Sequence, residues 1–187
     1  MTTAIRTRKP GARDRLIAAA ERLFYAEGIH AVGVDRLCVE AEVSKRSLYQ
    51  HFAGKDDVVA AMLQSQADRF AAQVPRDGSP RERVLAVFTA LDEVASSPGY
   101  RGCPFVGAAT ELKDRDHPAV QIAHDAKKSL TEYFARALRD AGARDVDLLA
   151  LQLTLIFDGA SAYAALRGGS TPATRRAVET LLDAHGT

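Results

Sequence analysis

One short segment concentrates side chains that can bind nucleic acid. They share the outward face of a predicted helix, with the last at its edge: Lys45, Arg46, Ser47, Tyr49, Gln50 and His51. Lysine and arginine donate to guanine acceptors in the major groove, and each good bidentate contact discriminates against a wrong base by about 1–3 kcal/mol. The same residues also suit an ordinary solvated helix face, so the elements around them must decide between the two readings.

Two short helices joined by a tight turn would carry this face. Val34 and Leu37 give the first of them an inward side, and Leu48 and Phe52 do the same for the second at a spacing of i, i+4. The turn lies around residues 42–44. These are the dimensions of a helix-turn-helix, whose second helix enters the major groove.

The residues around this turn resemble the DNA-binding region of the tetracycline-repressor (TetR/AcrR) family. The stretch that carries the resemblance is residues 28–57. Its core reads Val43-Ser44-Lys45-x-Ser47-Leu48-Tyr49-x-His51-Phe52-x-x-Lys55. Three positions depart from the family pattern. Gly33 replaces the usual threonine cap of the helix before the turn, and Arg46 stands where a small residue is common. Cys38 stands where alanine is common, and we expect it to be a small buried side chain.

The resemblance implies roles for individual residues in binding a double-stranded DNA operator. Lys45 and Arg46 lie where base-edge readers sit, and Gln50 shares their face. The positions that commonly meet phosphates are Ser47, Tyr49, which also reaches a base, His51 and Lys55. Lys55 begins the next helix, whose N-terminal amides point toward an anion. For Tyr49 and His51, packing inside the domain is the alternative.

Helical periodicity and helix-start signals continue along the chain, so the sequence predicts an all-α fold of about nine helices. Ser79-Pro80-Arg81-Glu82 has the pattern of a capping box with proline at the first helical position. The predicted helices are residues 12–27, 34–41, 44–51, 54–74, 80–96, 105–113, 118–141, 146–166 and 172–184.

Charge divides the chain unevenly. The 187 residues have a formal net charge of +1. The part up to Phe52 contains nine basic and six acidic residues and is therefore net +3, which leaves −2 for the rest. The expected domains are a flexible basic arm at residues 1–10, a helix-turn-helix domain at 11–56, and an effector-binding and dimerisation domain at 57–187.

The predicted helix at residues 146–166 is apolar around most of its circumference, so it needs cover on all sides. One side can meet the domain core, and the other needs a partner. The resemblance implies a homodimer through the last two helices, residues 146–184. Leu153 and Phe157 are expected on the face that meets the second copy.

The resemblance also implies a small-molecule effector that releases a repressor from its operator. The candidate cavity residues are Phe88, Phe105, Thr110, Phe134, Phe157 and Asp158. Ordinary core packing is the alternative for each aromatic residue. Asp158 lies inside an apolar helix, so it needs a partner: a ligand, an arginine or a group across the dimer.

Several classes of protein find no support. Two cysteines provide neither a disulfide framework nor a paired zinc spacing, and no metal or cofactor is expected. Residues 1–9 have no apolar core before a small-residue cleavage site, so we expect no signal peptide, no membrane partner and a cytoplasmic location. An enzyme using Glu111, His117 and His124 lacks any recognisable catalytic motif, and no activity is expected. A helical protein-interaction module remains the other alternative.

Overall fold

The computed structural model describes residues 10–187, which form nine α-helices and no β-strand. The helices are α1 (Ala12–Glu27), α2 (Val34–Glu40), α3 (Lys45–His51), α4 (Lys55–Gln73), α5 (Pro80–Ala95), α6 (Pro104–Leu112), α7 (Pro118–Asp140), α8 (Val146–Arg167) and α9 (Pro172–Ala184). The all-α prediction is confirmed, and the predicted helix ends are nearly the same as these. The basic arm expected at residues 1–10 lies, up to Lys9, outside the described residues.

Side-chain caps explain why several of these helices begin where they do. Ser79 Oγ accepts a hydrogen bond from the backbone N–H of Glu82 at 3.3 Å, and a Glu82 carboxylate oxygen accepts one from the Ser79 N–H at 2.8 Å. The Ser79 N–H and the Ser79 hydroxyl both donate to this carboxylate, and they hold the pKa of Glu82 below its usual value. His117 and Thr171 cap α7 and α9, each followed by proline at the first helical position. The predicted capping box is confirmed.

Among the described residues, those from 10 to 62 form one compact unit, and those from Leu63 onward form a second. The boundary expected between residues 56 and 57 falls in the first turn of α4 and stays a prediction. In the first unit, α1 packs against α2 and α3, and α2 packs against α3. The core residues that these three helices supply are Leu16, Ile17, Ala19, Ala20, Leu23, Phe24, Leu37, Cys38 and Leu48.

The second unit is built around α7, which packs against α5, α6 and α8. Phe88 of α5 stacks on Phe134 of α7 with ring centroids 5.8 Å apart, and Phe157 of α8 meets Phe88 edge-on at 6.1 Å. Leu153 has no exposed surface, and Val178 and Leu182 bring α9 onto the same core. These contacts determine which side of α8 faces the core, because Leu153 and Phe157 both lie on that side.

The other side of α8 is exposed and apolar. Its outward side chains include Leu148, Leu151, Leu155, Tyr163 and Leu166, which are between 46% and 84% exposed. The expected position of Leu153 and Phe157 at a partner-facing surface is therefore wrong: they face the core, and their neighbours in sequence face outward. Within the described chain, α8 alone is long and apolar enough to cross a membrane. That is weak evidence for a span, because core helices meet the same criterion.

Candidate nucleic-acid interface

The turn between α2 and α3 is tied to α1. Glu42 takes a left-handed backbone conformation with φ of 52°, and the Val43 N–H donates to the Cys38 carbonyl at 3.0 Å. Arg15 of α1 donates from Nε to the Ala41 carbonyl at 3.0 Å and from Nη2 to the Glu42 carbonyl at 3.3 Å. Because an arginine bridges both carbonyls, the start of α3 has a fixed position relative to α1.

Packing on one side orients α3 about its own axis. Ser44 is the N-cap, and its Oγ accepts a hydrogen bond from the Ser47 N–H at 3.1 Å. Leu48 is fully buried, and Phe52, which follows the last turn, is 6% exposed. The Arg13 guanidinium lies over the Phe52 ring at 5.5 Å from its centroid. With one side of this short helix anchored inward, the residues on its other side must face outward.

The outward side of α3 contains most of the residues predicted to bind DNA. Lys45, Arg46, Tyr49 and Gln50 are exposed and occupy positions i, i+1, i+4 and i+5, which share one helix face. Tyr49 is 57% exposed, which excludes the alternative that it packs inside the unit. His51 is exposed and Ser47 is half-buried. The structure thus brings these six residues together on one short helix, and their contact with DNA stays a prediction.

Lys45 has a carboxylate neighbour on the preceding helix. Its Nζ lies 2.6 Å from an Asp35 carboxylate oxygen, and both side chains are largely exposed. The hydrogen bond and charge of Asp35 raise the pKa of Lys45. Asp35 was not among the predicted site residues, because the motif that identifies α3 does not include its position.

Lys55 differs from the other predicted residues, because its ammonium is used inside the unit. Its Nζ donates to the Ile29 carbonyl at 2.9 Å and to the Val32 carbonyl at 3.3 Å. Both carbonyls lie in the loop between α1 and α2, so Lys55 fixes that loop. One of its three donors remains for another acceptor. A phosphate contact by Lys55 stays a prediction.

The N-terminus of α4 carries negative charge of its own. A carboxylate oxygen of Asp57 accepts a hydrogen bond from the Ala53 N–H at 2.8 Å. Asp56 and Asp57 both lie in the first helical turn. The negative charge that favours this helix end is therefore supplied by the chain itself.

Comparison with known proteins agrees with this helix-turn-helix geometry. The family model described as bacterial regulatory proteins of the tetR family matches residues 16–62, which span α1 to the first half of α4. A solved TetR transcriptional regulator from Streptomyces avermitilis is 42% identical, with a TM-score of 0.87, and the match covers 94% of this chain and 98% of that one. The chain belongs to the TetR family.

Further relatives support membership of the TetR family. A TetR-family transcriptional regulator from Streptomyces coelicolor is 32% identical, with a TM-score of 0.86, over 94% of this chain and 96% of that one. The transcriptional regulator LmrA of Bacillus subtilis is 24% identical over 139 residues, which are 71% of this chain and 74% of LmrA. This TetR-family chain is thus a helix-turn-helix transcriptional regulator, and the relatives are regulators rather than enzymes.

The cavity residues predicted for this TetR-family regulator have other partners in the second unit. Phe88, Phe134 and Phe157 form the aromatic core, and Phe105 of α6 is buried. The Thr110 hydroxyl donates to carbonyls of its own helix. The Asp158 carboxylate pairs with the Lys127 ammonium, which also lies 5.0 Å from the centroid of the Phe157 ring. Ligand contact by these six residues stays a prediction.

A cleft of about 680 Å³ lies elsewhere in the second unit, against α7. Its apolar wall includes Phe70, Val74, Ile122, Leu130 and Tyr133, and its charged wall includes Asp68, Arg76, Asp125, Arg136 and Arg139. None of the six predicted cavity residues lines it.

One cleft residue, Tyr133, fixes part of its wall. Its hydroxyl donates to the Pro75 carbonyl at 2.7 Å and to the Arg83 carbonyl at 3.2 Å, and burial raises its pKa. Sequence reasoning missed this cleft, because it chose the largest aromatic side chains, and those fill the core.

Proposed function

We propose that this TetR-family regulator is a homodimeric repressor that binds a palindromic DNA operator through α3 and is released by a small-molecule effector. Lys45 and Arg46 read base edges in the major groove. Ser47, Tyr49 and His51 contact phosphates at the edge of the groove, and Gln50 completes the reading face. Lys55 holds the loop before α2 and offers its remaining donor to the backbone of the DNA.

The outward face of α3 is the observation that carries this proposal. Lys45, Arg46, Tyr49 and Gln50 are exposed on one helix face, whereas Leu48 on the other side is buried against the rest of the unit. Base contacts specify a sequence only if the side chains that make them are held in register, and phosphate contacts supply that register. A rigid polar face with two cations meets both requirements.

The exposed apolar side of α8 supports a dimer. Leu148, Leu151 and Leu155 recur at spacings of three and four residues, so they form a stripe along one side of the helix. A stripe of this length on a regulator favours a self-complementary contact with a second copy. A two-fold dimer places two recognition helices about 34 Å apart, which matches one turn of DNA and two half-sites of a palindrome.

The cleft against α7 supports an effector site. Its volume of about 680 Å³ lies in the usual range for small-molecule pockets, about 300–1,000 Å³. Two polar links join α7 to α8: the ion pair of Lys127 with Asp158, and a 2.9 Å hydrogen bond between the hydroxyls of Thr131 and Thr154. An effector that prefers one arrangement of α7 therefore shifts the population of dimers toward that arrangement.

Repression requires only that the regulator occupies its operator on the DNA. A dimer bound across a promoter excludes RNA polymerase, and the regulator acts in the cytoplasm, where the bacterial chromosome lies. A reporter gene downstream of the selected operator distinguishes the two signs of control. Expression falls on production of the regulator if it represses, and rises if it activates.

Selection from random double-stranded DNA tests the proposal directly. The wild-type protein should enrich a palindrome, and Lys45→Ala combined with Arg46→Ala should lose the base preference while the dimer persists in sedimentation. Arg115→Ala combined with Lys128→Ala is the matched control, because it removes two exposed cations from the second unit. Unchanged sequence preference in the α3 variant would contradict the assignment of the reading residues.

A further inference from the structure

Asp35 and Lys45 form an ion pair on the surface of the helix-turn-helix. Asp35 lies in the first turn of α2 and Lys45 is the first residue of α3, and their charged atoms are 2.6 Å apart. The two side chains are 76% and 60% exposed. A pair this exposed contributes between zero and about 1 kcal/mol to stability. The ion pair itself therefore contributes little to folding, and the carboxylate remains beside a cation of the proposed reading face.

The pair presents a donor and an acceptor side by side. The ammonium of Lys45 has three N–H donors, of which Asp35 takes one, and the carboxylate of Asp35 has further free lone pairs. In the major groove, a G·C pair presents guanine N7 and O6 as acceptors and cytosine N4 as a donor. O6 and N4 are joined by an N–H···O hydrogen bond of about 2.9 Å. The spacing of the two protein groups thus suits the spacing of the two base groups.

We infer that Asp35 and Lys45 together read one G·C base pair in each half-site of the operator. Lys45 donates to guanine N7 and O6, and Asp35 accepts from cytosine N4. This inference rests on the proposed function, in which α3 enters the major groove. Asp35 is then a specificity-determining residue that α2 contributes to the reading face of α3.

An A·T pair fits the same two side chains less well. Adenine N6 donates to a carboxylate as cytosine N4 does, but thymine offers the ammonium only O4, beside a methyl group. A G·C pair gives Lys45 two acceptors on one base. Contact with the phosphate backbone alone also fits poorly, since Asp35 repels phosphates and neutralises the charge of Lys45.

Affinity for single-position operator variants tests the inference. After the operator is selected from random double-stranded DNA, each G·C position is replaced by the other base pairs, and dissociation constants are measured at one salt concentration. At one G·C position, replacement should raise the dissociation constant of the wild-type protein roughly 5- to 150-fold. With Asp35→Ala the cost of replacing that pair by C·G should fall at least about threefold, because the carboxylate that accepts from cytosine N4 and repels guanine acceptors is gone, while the preference of Lys45 for guanine remains.

Two further variants separate base reading from general effects of charge. Glu40→Ala removes another carboxylate of α2, whose partner Arg22 lies at 2.9 Å on α1, and it should keep the wild-type preference. Lys45→Met should relax the same position as Asp35→Ala. If the two variants relax different positions, the residues do not act as one reading unit.

Three further results would overturn the inference. Asp35→Ala could tighten binding to every sequence by the same factor and leave all base preferences unchanged. Asp35 would then only weaken the attraction to phosphates and would not read a base. The position that depends on Asp35 could prove to be A·T, which would contradict the base-pair assignment. If the wild-type protein selects no sequence at all, the proposed function itself fails. Circular dichroism of each variant checks that it is folded.

Discussion

Truncation of Leu155 measures the proposed dimer contact on α8. Its side chain is 62% exposed, so most of it is available to a second copy. Leu→Ala removes three carbon groups, each worth about 0.8 kcal/mol when it is fully buried. If the dimer covers the whole exposed part, the loss is about 1.5 kcal/mol in each protomer. Two-fold symmetry doubles this loss to about 3 kcal/mol, or about 150-fold in the dimer dissociation constant.

Leu153 provides the matched comparison, since it lies two residues away on the same helix and has no exposed surface. Leu153→Ala leaves a cavity in the core of the second unit and should cost about 2–5 kcal/mol of folding stability. Leu155→Ala should leave the thermal midpoint nearly unchanged when it is measured at protein concentrations below the dimer dissociation constant, where the wild type and the variant are both single protomers. The two variants therefore separate association from folding, although the residues are both leucines of α8.

Sedimentation equilibrium over a range of protein concentrations measures the dissociation constant, and circular dichroism measures the thermal midpoint. We expect a large shift in the constant for Leu155→Ala and a large fall in the midpoint for Leu153→Ala. A dimer that withstands Leu155→Ala and Leu151→Ala with its dissociation constant unchanged would refute the contact. A dimer weakened by Leu153→Ala in a protein of unchanged midpoint would refute the orientation of α8.

Three further predictions follow from single contacts. Gly33→Ser adds a capping hydroxyl to α2, at a position where φ is −86° and an added Cβ meets nothing within 4 Å. It should raise the free energy of unfolding in urea by a few tenths to about 1 kcal/mol. A lower free energy of unfolding would contradict the cap geometry. Lys55→Met removes two hydrogen bonds to the α1–α2 loop and should lower stability by about 1–2 kcal/mol. The pKa of Glu82 is lowered in the folded protein, so its contribution to stability is present above the unfolded value of about 4.3 and is lost as pH falls through the folded value. Glu82→Gln should therefore reduce the acid dependence of the thermal midpoint, and an unchanged dependence would show that the capping carboxylate is not responsible.

Helix positions were predictable from the sequence, since their signals are local. Pro80, Pro118 and Pro172 each mark a first helical position, and Ser79 with Glu82 completes a capping box. The motif around α3 was equally local, because Leu48 and Phe52 lie one turn apart. These features depend on residues within a few positions of one another, so no knowledge of distant neighbours is needed.

The orientation of α8 and the partners of individual polar groups were not predictable, since they depend on distant residues. A helix that is apolar on all sides does not reveal whether Leu153 or Leu155 faces the core; the packing of Phe88 and Phe134 decides this. Lys55 carries a family motif position, but its carbonyl partners lie in a loop about 25 residues earlier. Likewise, nothing near Asp158 in sequence identifies Lys127 as its partner.

The bridge from Arg15 to the α2–α3 turn bears on the engineering of altered operator specificity. A graft that moves residues 34–52 alone into another scaffold leaves behind the arginine that binds the Ala41 and Glu42 carbonyls. The transplanted α3 would then keep the residues proposed to bind DNA, but it would lose the Arg15 hydrogen bonds that fix its position. Two designs keep these hydrogen bonds. One exchanges only the outward side chains of α3 within this protein, and the other transfers α1 together with α2 and α3.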